Sequence, residues 1–246
     1  TNTATATILD DDGLSLSIVD ISVAESAGEA SITISLSQAS DQAITVEYAT
    51  ADVTTSSASD YTEASGTATF DAGSTEQTVV IAILDDAVNE ADETFTLTLS
   101  SLVGEGVTLA LDTATVTIAD DDDVTIDLAD VSVAETDDGD PQAVAIPLTL
   151  SGESEQTITV DIEAYAVTAT DGSDFDAIAG TFTFYPDGTT AFEDSTTSGA
   201  TDISVYGDTL NEDDETFGIV ASAPSGRGVT VGVDTATVTI ADNDDV

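Results

Sequence analysis

Two runs of carboxylates recur in this chain in the same order. Asp85-Asp86-Ala87-Val88-Asn89-Glu90-Ala91-Asp92-Glu93-Thr94-Phe95 returns as Gly207-Asp208-Thr209-Leu210-Asn211-Glu212-Asp213-Asp214-Glu215-Thr216-Phe217. Thr113 to Asp122 returns as Thr235 to Asp244, with Asn243 where the first copy has Asp121. Duplication of a fold explains repeated apolar positions, but not repeated runs of like charge. Crowded carboxylates repel, so protons or cations must neutralise them.

Composition narrows the source of that neutralisation. The 246 residues include 50 Asp+Glu and a single Lys+Arg, Arg227, for a formal charge of -49. At most one carboxylate can find a basic side chain; the others face water, accept hydrogen bonds or bind metal ions. Such a charge excludes a nucleic-acid backbone as partner and argues against anionic membrane surfaces. Self-repulsion of this size suits a salty medium or one rich in divalent cations. The chain is nevertheless 41% hydrophobic, with apolar residues alternating with Thr, Ser and Asp, which fits folded β structure better than a solvated acidic tail. Cysteine is absent, which removes disulfides, thiolate metal sites and thiol nucleophiles. No apolar run is long enough to span a bilayer as a helix, and no signal peptide is evident.

The repeat extends well beyond the acids. Val19 to Glu25 matches Ala129 to Glu135, Ile44 to Glu47 matches Ile158 to Asp161, and Ser59-Asp60-Tyr61 matches Ser173-Asp174-Phe175. The offset grows from 110 to 114 and then 122 residues, so insertions fall in loops, the largest between Pro186 and Ala200. Thr3 to Asp12 matches the end of each repeat. Residues 1–12 are therefore expected to be the last strand of a preceding repeat, or a donor strand for a neighbouring subunit. Residues 13–122 form one domain and 123–246 a second.

Each domain reads as seven short strands with period-two alternation, near 14–24, 30–37, 43–50, 65–71, 76–84, 93–101 and 112–119 in the first. The expected fold is all-β, a tandem pair of immunoglobulin-like seven-stranded antiparallel sandwiches. If each strand reverses the one before, odd strands all end at one pole. Glu25 follows the first strand, Asp60 the third, Asp85 to Glu93 the fifth and Asp120 to Asp123 the seventh. Parity alone sends all four to one pole, and does the same for Glu135, Asp174, Asp208 to Glu215 and Asp242 to Asp245.

Carboxylates converging without basic partners suit a hard cation. Calcium accepts about 6–8 oxygens in flexible geometry, whereas magnesium demands a tight octahedron and zinc prefers the His and Cys this chain lacks. No EF-hand loop spacing is present; Asp171-Gly172-Ser173-Asp174 lacks its Gly and terminal Glu.

With these residues in view, the chain resembles the Calx-beta domains of sodium–calcium exchangers, integrin β4 and large bacterial surface proteins. The matching text is Val-Ala-Glu at 23–25, Ser-Asp-Tyr at 59–61, the acidic stretch at 85–95 and the terminal Asp run. The resemblance covers nearly the whole chain as two domains. It implies calcium ligands at Glu25, Asp60, Asp85, Asp86, Glu90, Glu93, Asp120, Asp121 and Asp122, with the Val88 carbonyl. In the second domain it implies Glu135, Asp174, Asp208, Glu212, Glu215, Asp242 and Asp244, with the Leu210 carbonyl. Gly207 and Asn243 depart from the pattern and remove charge, which implies fewer or weaker ions there.

The functional expectation is a calcium-binding structural segment of a long extracellular adhesin, stalk or filament. Its partners are neighbouring repeats or subunits in a linear array, and its setting is a bacterial or archaeal surface in a salty environment. The competing reading is a regulatory calcium sensor coupled to another domain. An enzyme is not expected: paired carboxylates can hydrolyse glycosides, but no His, Cys or Lys accompanies them.

Overall fold

The computed structural model describes residues 13–56, 59–136, 140–194 and 202–244. The expected terminal or donor strand at 1–12, Asp245 and part of the 186–200 insertion lie outside the described residues. Among the described residues no helix is long and apolar enough to cross a membrane. The chain forms two compact units: residues 1–86 with 92–121, and residues 87–91 with 122–246.

The first repeat carries β1 (Leu14–Ser17), β2 (Ile21–Ala24), β3 (Glu29–Leu36), β4 (Ile44–Asp52), β5 (Ser65–Phe70), β6 (Glu76–Ala82), β7 (Glu93–Val103), β8 (Val107–Leu111) and β9 (Thr113–Ala119). They build two sheets, ordered β6-β3-β1-β8 and β2-β9-β7-β4-β5. Alternate residues point inward, as along β3, where Ala30, Ile32, Ile34 and Leu36 are buried and Glu29, Ser31 and Thr33 are exposed. The core joins these to Val46, Phe95, Leu97 and Val116, with the Tyr61 and Phe95 rings stacked at 4.1 Å. Tyr61 donates to Asp52 Oδ1 at 2.7 Å; burial first, then this bond, push its phenol up to about 12.

The seven expected strands appear as nine because the first divides between the two sheets, and the last, expected at 112–119, starts earlier, with β8 in one sheet and β9 in the other. Asp20 marks the crossing in the first: its Oδ1 accepts from the Thr115 N–H at 2.8 Å, where the strand changes partner. Both halves of the first strand pair parallel with halves of the last, β1 with β8 and β2 with β9. This agrees with parity, since the first and seventh strands run the same way.

The second repeat contributes β10 (Val124–Leu128), β11 (Val131–Ala134), β12 (Gln142–Ala145), β13 (Leu148–Leu150), β14 (Ile158–Ala166), β15 (Ala179–Phe184), β16 (Thr190–Asp194), β17 (Asp202–Val205), β18 (Glu215–Ser225), β19 (Val229–Val233) and β20 (Thr235–Ala241). One sheet is ordered β11-β20-β18-β14-β15-β16, and β13-β10-β19 and β12-β17 form two further sheets. Pro147, which offers no N–H to a ladder, falls between β12 and β13. Asp130 repeats the role of Asp20, accepting from Thr237 N–H at 2.8 Å. The insertion expected as a loop contains β16, which pairs antiparallel with β15. Phe175 and Phe217 stack at 4.3 Å within this core, as Tyr61 and Phe95 do in the other.

Candidate metal centres

Strand register explains how the acids meet. In the parallel pair β2–β9, Ala24 lies opposite Ala119, so the next residues, Glu25 and Asp120, leave the sheet side by side. In β11–β20, Ala134 opposite Ala241 does the same for Glu135 and Asp242. Glu93 and Glu215 open β7 and β18, paired with Ile118 and Ile240 of the adjoining strand. Asp60 is fixed by its own turn: its Oδ2 accepts from Ser56 N–H at 2.6 Å, and its carbonyl accepts from Leu84 N–H at 2.9 Å. Asp174 copies both bonds, with Thr170 N–H at 2.6 Å and Tyr206 N–H at 2.9 Å.

Among the described residues three carboxylate triads result, each with oxygens within 4.8 Å of one another: Glu25, Asp120 and Asp122; Asp60, Glu90 and Glu93; and Glu135, Asp242 and Asp244. Glu25, Asp60 and Asp120 are only 3%, 8% and 5% exposed. Carboxylates this buried and this close repel one another, and a cation held among them offsets that repulsion. The donor set is entirely oxygen, which fits a hard cation and not zinc.

In the second repeat a single pocket is lined by Glu135, Asp174, Asp208, Glu212, Glu215 and Asp242. Burial raises the Glu215 carboxyl, and contact with Asp174 raises it further, to about 7. Glu135 is also raised, first by burial and then by Asp242 beside it. The buried Glu135 Oε1 accepts no hydrogen bond among the described residues. A pocket lined mainly by carboxylates, with two of them raised and a buried oxygen without a hydrogen bond, fits a hard cation.

Some expected ligands lie outside the triads. Asp85 and Asp86 are exposed. Asp121 is exposed and accepts from Ser26 at both oxygens, from N–H at 3.3 Å and from Oγ at 2.5 Å. Asn243, its counterpart, donates from Nδ2 to the Glu135 carbonyl at 2.9 Å. Both residues thus latch the end of the last strand to the end of the first, which an amide does as well as a carboxylate. Asp208 Oδ1 accepts from Leu210 N–H at 2.7 Å, shaping the loop on which the exposed Leu210 sits. Val88 is half-buried on the corresponding loop of the first repeat.

Gly207 has a steric reason beyond lost charge. A Cβ there would lie 2.2 Å from the Thr136 carbonyl oxygen and 2.4 Å from its nitrogen. Substituting Gly207→Asp is therefore expected to destabilise the second repeat by about 1–3 kcal/mol and not to improve its ion affinity. Urea unfolding and a calcium titration check this; a variant as stable as the parent with tighter binding would refute the clash.

Residue type alone gives Asn89 no place among the expected ligands. It is fully buried, at 0% exposure, inside an otherwise acidic run. The signal was its recurrence as Asn211, an uncharged residue kept between carboxylates in both copies.

A family model described as the Calx-beta domain matches residues 9–122 and again residues 123–244. Among solved structures, the apo-form Calx CBD1 domain is 33% identical over 45% of this chain and 100% of that chain, with a TM-score of 0.42. CBD12 from CALX1.2 is 21% identical over 91% of this chain and 99% of that chain, with a TM-score of 0.44. The calcium binding domain CBD12 of CALX1.1 is 22% identical over 91% of this chain and 98% of that one, with a TM-score of 0.44. No curated protein matches the chain.

Proposed function

The chain belongs to the Calx-beta family, and on that footing we propose that it is a calcium-binding structural segment whose ions stiffen the connection between successive domains. One observation carries this reading. Asp120 and Asp122 belong to the Glu25 triad, and they also lie on the connecting stretch from β9, ending at Ala119, to β10, starting at Val124. An ion held by Glu25, Asp120 and Asp122 fixes that stretch to the end of β2. Asp60, Glu90 and Glu93 hold a further ion, and Glu135, Asp242 and Asp244 one at the end of the second domain.

Without ions, repulsion among these carboxylates opposes the same geometry. The role is mechanical binding and not catalysis. We place the segment in a linear array of like repeats, an extracellular adhesin, stalk or filament at a bacterial or archaeal surface, where divalent cations and salt screen the charge.

Calorimetry and small-angle scattering, in calcium and then in chelator, test the proposal. Each site held at about a hundred times its Kd adds about 2.7 kcal/mol. Calcium is thus expected to raise the melting temperature by more than about 10 °C for domains of this size and to narrow the distribution of maximum dimensions. Identical melting and scattering in both buffers would overturn it. Micromolar affinity with a large change of shape would instead favour a regulatory sensor.

A further inference from the structure

Asn89 and Asn211 hold the same position in the two repeats. Each donates from Nδ2 to the carbonyl of the third residue of its terminal acidic run, Asn89 to Asp122 at 2.7 Å and Asn211 to Asp244 at 2.5 Å. Beyond that bond they differ: Asn89 is fully buried and Asn211 is exposed.

Asn89 belongs to the second compact unit, where a polar cradle surrounds it. Its N–H donates to the Glu153 carbonyl at 3.1 Å, and its carbonyl accepts from Glu155 N–H at 3.0 Å, a parallel bridge with Ser154. Its Oδ1 accepts from Ser154 Oγ and Gln156 Nε2, both at 2.9 Å. Its Nδ2 also donates to the Arg227 carbonyl at 2.9 Å. Gly228, with φ +64, lets the amide approach: a Cβ there would lie 2.8 Å from Asn89 Nδ2.

The first repeat carries the same cradle. Ser40-Asp41-Gln42 stands where Ser154-Glu155-Gln156 stands in the second. The Gln42 N–H donates to Ser40 Oγ at 3.1 Å, as Gln156 N–H does to Ser154 Oγ at 3.1 Å. Gly104-Glu105-Gly106 stands where Gly226-Arg227-Gly228 stands, and Gly106 has the same left-handed backbone, φ +73. Among the described residues, nothing lies within 4 Å of where a Gly106 Cβ would be, and Gln42 is exposed where Gln156 is half-buried.

Each repeat thus has a plug, the asparagine, and a cradle, the Ser-x-Gln turn with its glycine. One plug is seated; the plug Asn211 is exposed, and so are Gln42 and Gly106 of the other cradle, with Ser40 half-buried beside them. We infer that Asn211 of one chain seats in the Ser40–Gln42 cradle of a second copy, coupling repeats head to tail. Plug and cradle are different surfaces, so the contact is heterologous and propagates in a line. The inference rests on the array reading for its occupant but needs no ion. A handful of hydrogen bonds between acidic copies is weak in free solution. A covalent tether raises the effective concentration to about the millimolar range, enough for a weak contact to persist.

The test is sedimentation of the whole chain up to about 1 mM, the concentration a short tether supplies, in about 1 M salt to screen the charge. The parent chain is expected to grow into linear oligomers with concentration. Asn211→Ala lacks the plug and Gln42→Ala the cradle, so each alone associates at least tenfold more weakly. Mixed one to one, they pair into dimers and stop. Both positions are exposed, and unchanged melting shows that the variants fold. A parent chain that stays monomeric, an Asn211→Ala chain that assembles like the parent, or a mixture that does not pair overturns the inference. Calcium titration of the parent chain separates the two claims: assembly without calcium binding removes the proposed function and leaves the coupling, and calcium binding without assembly removes the coupling.

Discussion

Alanine at position 89 is expected to cost the second compact unit about 2–4 kcal/mol, whereas alanine at 211 costs less than about 1 kcal/mol. The two residues share a sequence context, and the difference comes from what surrounds them. Four side-chain hydrogen bonds end on the Asn89 amide, from Ser154 Oγ and Gln156 Nε2 to its oxygen and from its nitrogen to the Asp122 and Arg227 carbonyls. Removing the amide strands these groups where the residue is fully buried, and an unmet buried polar group costs more than a made bond returns. Ser154 Oγ also accepts from Gln156 N–H and donates to the Asn89 carbonyl, so it recovers part of the loss by rotation. Asn89→Asp preserves shape but loses both donors and adds charge next to Glu90, so it is expected to be at least as damaging. Urea midpoints in calcium decide the matter; equal losses at 89 and 211 would show that the cradle contributes no stability.

Much of the site was legible because a sandwich obeys parity. Once Glu25, Asp60, Glu93 and Asp120 fall after odd strands or before the next, reversal of direction sends them to one end whatever the details of packing. The structure adds register, Ala24 against Ala119 and Ala134 against Ala241, which turns a shared pole into neighbouring carboxylates. Register depends on which strand halves pair, and that in turn depends on the crossing at Asp20, a backbone event invisible in the alternation. Asp121 illustrates the limit of residue type as a guide. Its carboxylate suits an ion, but the nearest donors are the Ser26 N–H and hydroxyl, and Asn243 fills the same place with the opposite polarity. Gly207 read as a lost ligand because sequence shows charge and not space; the Thr136 backbone occupies the position a side chain needs. β16 escaped notice because its edge pairing with β15 builds a strand from an inserted segment with no counterpart in the first repeat.

Lowering the pH from about 7.5 to 5.5 is expected to weaken calcium binding at the second domain by roughly 20- to 30-fold, approaching tenfold per unit below the raised carboxyl. Glu215 titrates at about 7 against 4.5 for an ordinary glutamate, because burial and Asp174 disfavour its charged form. Calcium needs the carboxylate, so below 7 each binding event must first release a proton. The same shift governs the ion-free fold with opposite sign. Between about 4.5 and 7 the folded state holds a proton that the unfolded chain has lost, so the stability of the chelated domain falls as pH rises through that window. Calcium reverses this trend, since the ion stabilises only the ionised, folded site. Glu215→Gln removes the titrating group: its affinity at pH 7.5 is lower, its pH slope shallower, and the chelated domain loses less stability on going from pH 5 to 7. Calcium titrations and urea unfolding across this range provide the check. An affinity at the second domain that does not change with pH, or a chelated domain that gains stability as pH rises from 5 to 7, would show that the Glu215–Asp174 contact is not what governs the pocket.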